Sequence, residues 1–193
     1  SLVKNVVVAY PDNLSGSAVS DQFDGIDLSA YNTINFGGFA AVNNGIITNC
    51  DVISVVSDNT NKNATVASYN NNKYALALKT NKDAKNANIA GFVAENNGTI
   101  TNSRVGRNVV MAFSHSNGDS AVEAPSRYDK VSPVFVMSVE GAGNVAGFVA
   151  QNKGTISSSY ANNLQLEVFS QGYGTKNIKT SGFVVANNGF VHG

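Results

Sequence analysis

Apolar and polar positions fall into one twelve-residue phrase that returns four times. In Gly91-Phe92-Val93-Ala94-Glu95-Asn96-Asn97-Gly98-Thr99-Ile100-Thr101-Asn102, a short apolar run meets a polar corner and then an alternating run. The other copies start at Gly38, Gly147 and Gly182. Phe92 to Ala94 predicts a short strand. Asn96-Asn97-Gly98 predicts a tight turn, in which glycine takes positive φ and Asn tolerates the left-handed region. Thr99 to Ser103 alternates as a half-buried strand does. A two-residue turn between two strands also fits an antiparallel hairpin. The repetition argues against it, because phrases stacked in register give three columns of like side chains. These are Phe39, Phe92, Phe148 and Phe183; Ile47, Ile100, Ile156 and Val191; and Asn43, Asn96, Asn152 and Asn187. Columns of this kind belong to parallel coils about 4.8 Å apart. The expected fold is therefore all-β: a right-handed parallel β-helix, a solenoid of stacked coils with inserted hairpins and loops.

On this reading Gly38, Gly45, Gly91, Gly98, Gly147, Gly154, Gly182 and Gly189 are turn residues, and Asn43, Asn96, Asn152 and Asn187 form a ladder. Stacked Asn side chains bond to one another and to the freed turn backbone. The glycines do not form a phosphate loop, since no GxGxxG or Walker pattern is present.

Spacing between phrases is uneven: 53 residues from Gly38 to Gly91, 56 to Gly147 and 35 to Gly182. The shortest interval is the simplest coil, with Leu164 to Phe169 as an alternating strand. The longer ones predict inserts at about residues 57–86 and 114–140, with a comparable one at about 11–31, within a single segment of 1–193. Ala64 to Tyr69 and Tyr74 to Lys79, separated by Asn70-Asn71-Asn72-Lys73, read as a hairpin. Inserts in repeat proteins tend to emerge on one face, often the binding face. Ser1 to Tyr10 resembles Ser103 to Phe113, and the fourth phrase runs to the last residues. Both ends thus read as cuts through a longer repeat array.

Composition narrows the function classes. Thirteen basic and thirteen acidic residues cancel, which gives no pull toward nucleic acid. Charged residues are only 13% of the chain, with Asn, Ser, Thr and Gly in their place. No apolar run is long enough for a membrane helix. The single cysteine, Cys50, cannot make an internal disulfide, and its column continues as Ser103 and Ser159. Only His115 and His192 are present, and no Cys/His cluster has zinc spacing, so neither a metal nor a cofactor is expected.

The candidate chemistry is sparse. Asp21, Asp24 and Asp27 are the one tight acidic group; a polysaccharide lyase or hydrolase on a β-helix needs such carboxylates clustered on one face. Asp24-Gly25-Ile26-Asp27 reads more naturally as a turn. Asp51 and Asp58 do not pair by inspection. Arg104, Arg107, Arg127 and Lys130 gather near the second long insert, as a solvated face or a small basic patch. Tyr69, Tyr74, Tyr128 and Tyr173 lie in or beside irregular segments. Exposed aromatics of that kind stack on sugars or anchor a protein partner, and the plainer role is to cap the interior of each insert.

The phrase resembles the GLUG motif, approximately G-[LF]-V-[GA]-x-N-x-G-x-I-x-N, which Gly91 to Asn102 match; Ser159-Tyr160 fits its usual continuation. Ala41, Ala94 and Ala150 stand where glycine is commoner. The motif occurs in large bacterial surface and secreted proteins, among them filamentous-haemagglutinin-like adhesins and the stalks of immunoglobulin A metallopeptidases. The resemblance implies an extracellular, cell-surface address. It implies a structural or adhesive segment, with neighbouring repeats of the same chain and a host protein or glycan as partners. The peptidase signature HExxH is absent, so the activity of those relatives is not expected in this segment. The other functions in view are a carbohydrate-active β-helix enzyme and a passive scaffold for a distant peptidase domain.

Overall fold

Short strands of three to six residues, separated by corners, are what the phrase encodes, and stacking joins them into sheets. A computed structural model describes residues 1–11, 14–15, 25–55, 73–81, 84, 86–106, 135–140, 143–162, 164–169 and 178–193. Among them there is no helix. The chain passes in each turn through five parallel sheets. The first stacks Ile26–Leu28, Leu76–Thr80, Phe135–Glu140 and Leu164–Phe169. The second stacks Thr33–Gly37, Asn86–Ala90, Gly143–Ala146 and Ile178–Ser181. The third stacks Ala40–Asn43, Val93–Asn96, Val149–Asn152 and Val184–Asn187. The fourth stacks Leu2–Lys4, Ile46–Thr48, Thr99–Thr101, Thr155–Ser157 and Phe190–His192, and the fifth Val7–Pro11, Asp51–Val55, Arg104–Gly106 and Tyr160–Asn162. All these pairs are parallel, as in a parallel β-helix; Leu14–Ser15 and Lys73–Tyr74 add one antiparallel pair.

The columns are in register. Val93 lies between Ala40 and Val149, and Ile100 between Ile47 and Ile156. The phenylalanine rings stack face to face, with centroids 4.9 Å apart for Phe39 and Phe92, 4.8 Å for Phe92 and Phe148, and 4.9 Å for Phe148 and Phe183. Phe92, Phe148, Ile100, Val52, Val105, Ile89 and Leu78 share one fully buried interior. Each such side chain stabilises by roughly 1.5–3 kcal/mol on burial. A second, separate apolar cluster joins Ala90, Ala146 and Ala150, with Val185 packed against it. Alternation puts Ala90 and Ala150 on the outward faces of the second and third sheets, whose inward residues are Ile89 and Val149. Those outer faces therefore fold against each other at the Gly-Phe corner, and small residues fill the angle.

Two sequence expectations change. The phrase glycines are not left-handed: positive φ falls on Asn5, Asn49, Asn102 and Ser158, and on Gly106 and Gly143. What the phrase requires of glycine is close approach. A Cβ on Gly91 would run into the Gly147 carbonyl of the next turn, and one on Gly98 into the Gly45 carbonyl of the previous turn. The insert boundaries shift too. Ile26–Leu28, Leu76–Thr80 and Phe135–Glu140, each placed within an insert by sequence, together make the first sheet. Tyr74 to Lys79 is thus no simple hairpin arm. Its Leu76 and Leu78 are buried in the shared interior, and residues 64–69 lie outside the described residues.

Candidate binding surface

Three outward-facing columns carry the described polar chemistry. On the third sheet, Asn96 faces the interior at the end of its strand and Glu95 faces out, so ladder and surface alternate by one residue. The buried ladder runs from Asn43 Nδ2 to Asn96 Oδ1 at 2.7 Å, Asn96 Nδ2 to Asn152 Oδ1 at 2.7 Å, and Asn152 Nδ2 to Asn187 Oδ1 at 2.8 Å. The amides of Asn43, Asn96 and Asn152 also reach turn carbonyls, at Thr99 O, Thr155 O and Phe190 O. Asn43, Asn96 and Asn152 thereby satisfy corners that are buried from water, while Asn187 in the last turn is exposed. Outside it, Lys153 Nζ meets Glu95 Oε1 at 2.8 Å. The Lys153 hydrogen bond holds the Glu95 carboxyl below its ordinary pKa, with Asn97 adding to it and burial opposing.

The fifth sheet carries Asp51, Arg104 and Tyr160 in one outer column. Arg104 Nη2 donates to Asp51 Oδ2 at 2.7 Å, and its Nη1 to the Tyr160 hydroxyl at 3.3 Å. Burial works against the Arg104 charge, and the bonds to Asp51 and Tyr160 outweigh it, so its pKa is raised. Tyr160 is 45% exposed, and its phenol is the outward end of this column. The column was legible in principle: Asp51 to Arg104 and Arg104 to Tyr160 repeat the 53- and 56-residue phrase spacings. Sequence reasoning looked for acid pairs along the chain and passed over partners one turn away.

The second sheet carries an amide ladder on its outer face. Asn144 Nδ2 donates to Asn88 Oδ1 at 2.9 Å and Asn88 Nδ2 to Asn35 Oδ1 at 3.0 Å, with Lys179 next in register. This surface ladder went unnoticed in the sequence because it falls outside the phrase.

The remaining candidates divide between resolved roles and undescribed positions. Cys50 is buried and stands in the column of Ser103 and Ser159. Its Sγ approaches Thr48 O at 3.3 Å as Ser103 Oγ approaches Thr101 O at 2.9 Å and Ser159 Oγ approaches Ser157 O at 2.8 Å. It is one member of a corner motif. A hydrogen bond from the Ser29 side chain holds the Asp27 carboxyl below its ordinary pKa, with the turn-capping Ser29 N–H, 2.8 Å from Asp27 Oδ1, and Lys79 beside it adding to this and burial opposing. His192 is exposed in the last strand. Tyr74 lies in the strand that pairs with Leu14–Ser15, opposite Leu14. Tyr69, Tyr128 and Tyr173 lie outside the described residues, as do Asp21, Asp24, Asp58, His115, Arg107, Arg127 and Lys130. Among the described residues no group of three or more His, Cys, Asp or Glu is placed to hold a metal ion, and no helix is long and apolar enough to cross a membrane.

The long connections share one place in the fold. Residues 56–72 join Asp51–Val55 to the antiparallel strand Lys73–Tyr74 and the first-sheet strand Leu76–Thr80; residues 107–134 join Arg104–Gly106 to Phe135–Glu140. Both leave the fifth sheet and re-enter at the first. In the next turn, Tyr160–Asn162 reaches Leu164–Phe169 through residue 163 alone. The corner beside the Asp51–Arg104–Tyr160 column is therefore where the chain varies and the coil does not. Comparison with protein families, curated proteins and solved structures finds no match.

Proposed function

We propose that this chain is a non-catalytic shaft segment of a bacterial cell-surface or secreted protein, of the GLUG-repeat kind, that displays variable segments for binding a host protein or glycan. The carrying observation is that both long connections, 56–72 and 107–134, open from the same corner in successive turns while the strands around them keep register. The coil's polar side chains are largely engaged in holding turns together: Asn43, Asn96, Asn152 and Asn187 in one ladder, Asp51 with Arg104, Glu95 with Lys153. Such a division suits a rod that presents loops.

Glycan-array and host-protein binding by the whole chain tests this. The comparison is a variant in which residues 107–134 are replaced by one residue, after the pattern of the third turn. Binding that disappears with the replacement supports display from this corner. Binding that survives unchanged, or polysaccharide turnover that Asp24→Asn abolishes, refutes the reading.

A further inference from the structure

The second phrase holds a reactive pair of residues in its corner, Asn97-Gly98. This corner is stacked on both sides, by Asn44-Gly45 in the turn before and by Lys153-Gly154 in the turn after. The fold demands glycine here, since a Cβ on Gly98 would run into the Gly45 carbonyl. No side chain can therefore follow Asn97 and shield it. An Asn before glycine is the pair in which the next backbone nitrogen most freely reaches the side-chain carbonyl carbon, because no Cβ stands in the way. The corresponding corner of the next turn has Lys153 in place of Asn, which removes the reactive amide.

Three observations single out Asn97. Its side chain is exposed and Gly98 is partly exposed, so water reaches the corner. The Gly98 N–H meets no acceptor among the described residues, whereas Gly154 N–H donates to Asn96 O at 3.0 Å. Gly98 nitrogen thus gives up no hydrogen bond when it reacts. The chain on either side is pinned across the stack: Asn97 N–H donates to Asn43 O at 2.8 Å, Thr99 N–H to Gly45 O at 2.8 Å, and Gly98 O accepts from Thr155 N–H at 2.8 Å.

We propose that Asn97 is a self-modification site, where the folded coil converts its own side-chain amide to a carboxylate and directs the product to aspartate. Gly98 nitrogen, releasing its proton to water, attacks Asn97 Cγ. The new N–C bond forms, the Cγ–Nδ2 bond breaks, and the amide nitrogen takes up a proton and leaves as ammonia. Water then opens the five-membered imide. Opening at Cγ gives aspartate and restores the Gly98 N–H. Opening at the main-chain carbonyl gives isoaspartate, whose backbone is one atom longer between residue 97 and Gly98. An unconstrained peptide takes mostly the second route. The pinned corner has no room for the extra atom without breaking the bonds to Asn43, Gly45 or Thr155, so the stack selects the first. The new carboxylate stands near Glu95, with Lys153, 2.8 Å from Glu95, to balance it. Asn97 Nδ2 donates to Asn44 Oδ1 at 3.0 Å, and a half-turn of the Asn44 amide restores that bond to the aspartate. This inference does not depend on what the displayed segments bind.

The test is incubation of the full chain in mildly alkaline buffer at physiological temperature, folded and in concentrated urea. Peptide mass spectrometry then locates the one-dalton gain and separates aspartate from isoaspartate against synthetic standards. The expected result is conversion at Asn97 in both samples, with aspartate in excess in the folded chain and isoaspartate in excess in urea. Asn97→Asp is expected to keep the β spectrum. The product ratio tells reaction in the fold from reaction through transient unfolding, which gives the urea ratio. An excess of isoaspartate in the folded chain overturns the proposal. So does an Asn97 that stays intact in the folded chain after the unfolded one has converted.

Discussion

At the residue scale, each corner of the coil makes one demand, and the chain meets most of them. The corner between the fourth and fifth sheets needs a left-handed residue, filled by Asn5, Asn49 and Asn102 at φ 58°, 54° and 48°. Asn tolerates that region better than most residues because its short polar side chain can bond locally; here Asn49 Nδ2 also donates across the stack to Asn5 Oδ1 of the previous turn at 2.7 Å. Ser158 takes the same place at φ 46° without that advantage. Left-handed backbone costs an ordinary residue roughly 1–2 kcal/mol, so Ser158→Asn is expected to stabilise the protein by about 0.5–1 kcal/mol. Urea denaturation measures this; a midpoint that falls means Ser158 is not limiting. The Gly-Phe corner makes a different demand. Gly147→Ala pushes a methyl into the Gly182 carbonyl and the Leu164 side chain, and is expected to cost at least about 2–3 kcal/mol, the scale of overpacking. Equal stability of Gly147→Ala and wild type in the same assay contradicts the close approach of those turns.

At the element scale, strands are held by their columns. Phe148 stacks on both Phe92 and Phe183, at 4.8 and 4.9 Å. Phe148→Ala is expected to cost about 3–5 kcal/mol, and Phe183→Ala less, because Phe183 is half-buried and among the described residues stacks on Phe148 alone. A loss under about 1 kcal/mol for Phe148→Ala would place it outside the interior. The Glu95–Lys153 pair adds a pH-dependent contribution across the third sheet. Its native carboxyl titrates below the unfolded one, so the ionised form is favoured by folding. That stabilisation is complete above the unfolded carboxylate pKa and is lost as pH falls through the lowered native value. Lys153 is 44% exposed, so solvent screens the pair. Glu95→Gln is therefore expected to cost about 0.2–1 kcal/mol at neutral pH. The difference from wild type should close on acidification and in high salt. A difference that persists at low pH assigns the loss to packing instead.

At the scale of the whole molecule, the columns were legible in the sequence and the coil's outline was not. Stacking repeats identical side chains, so Phe39, Phe92, Phe148 and Phe183 announce one another. The first sheet does not announce itself. The connection that precedes it changes length in every turn, and so Ile26–Leu28, Leu76–Thr80 and Phe135–Glu140 merge with the inserts in a one-dimensional reading. The Ala90, Ala146 and Ala150 cluster was equally hidden, because alternation assigns faces within a strand and says nothing about which way the next corner bends. The same reasoning applies to the candidate surface, where Asp51, Arg104 and Tyr160 meet only through the stack. It also yields a test of modularity. The third turn closes from Tyr160–Asn162 to Leu164–Phe169 with residue 163 between them, whereas the second turn uses 107–134 for the same crossing. Shortening a connection changes its closure entropy slowly, by about 0.6 kcal/mol per halving of length. Replacing 107–134 with one residue is therefore expected to preserve the β spectrum, with a stability within about 2–3 kcal/mol of wild type. Denaturation with both far-UV and tyrosine fluorescence measures it. Loss of cooperative unfolding would show that the connection holds the coil together, and the proposed separation of shaft from displayed segment would fail with it.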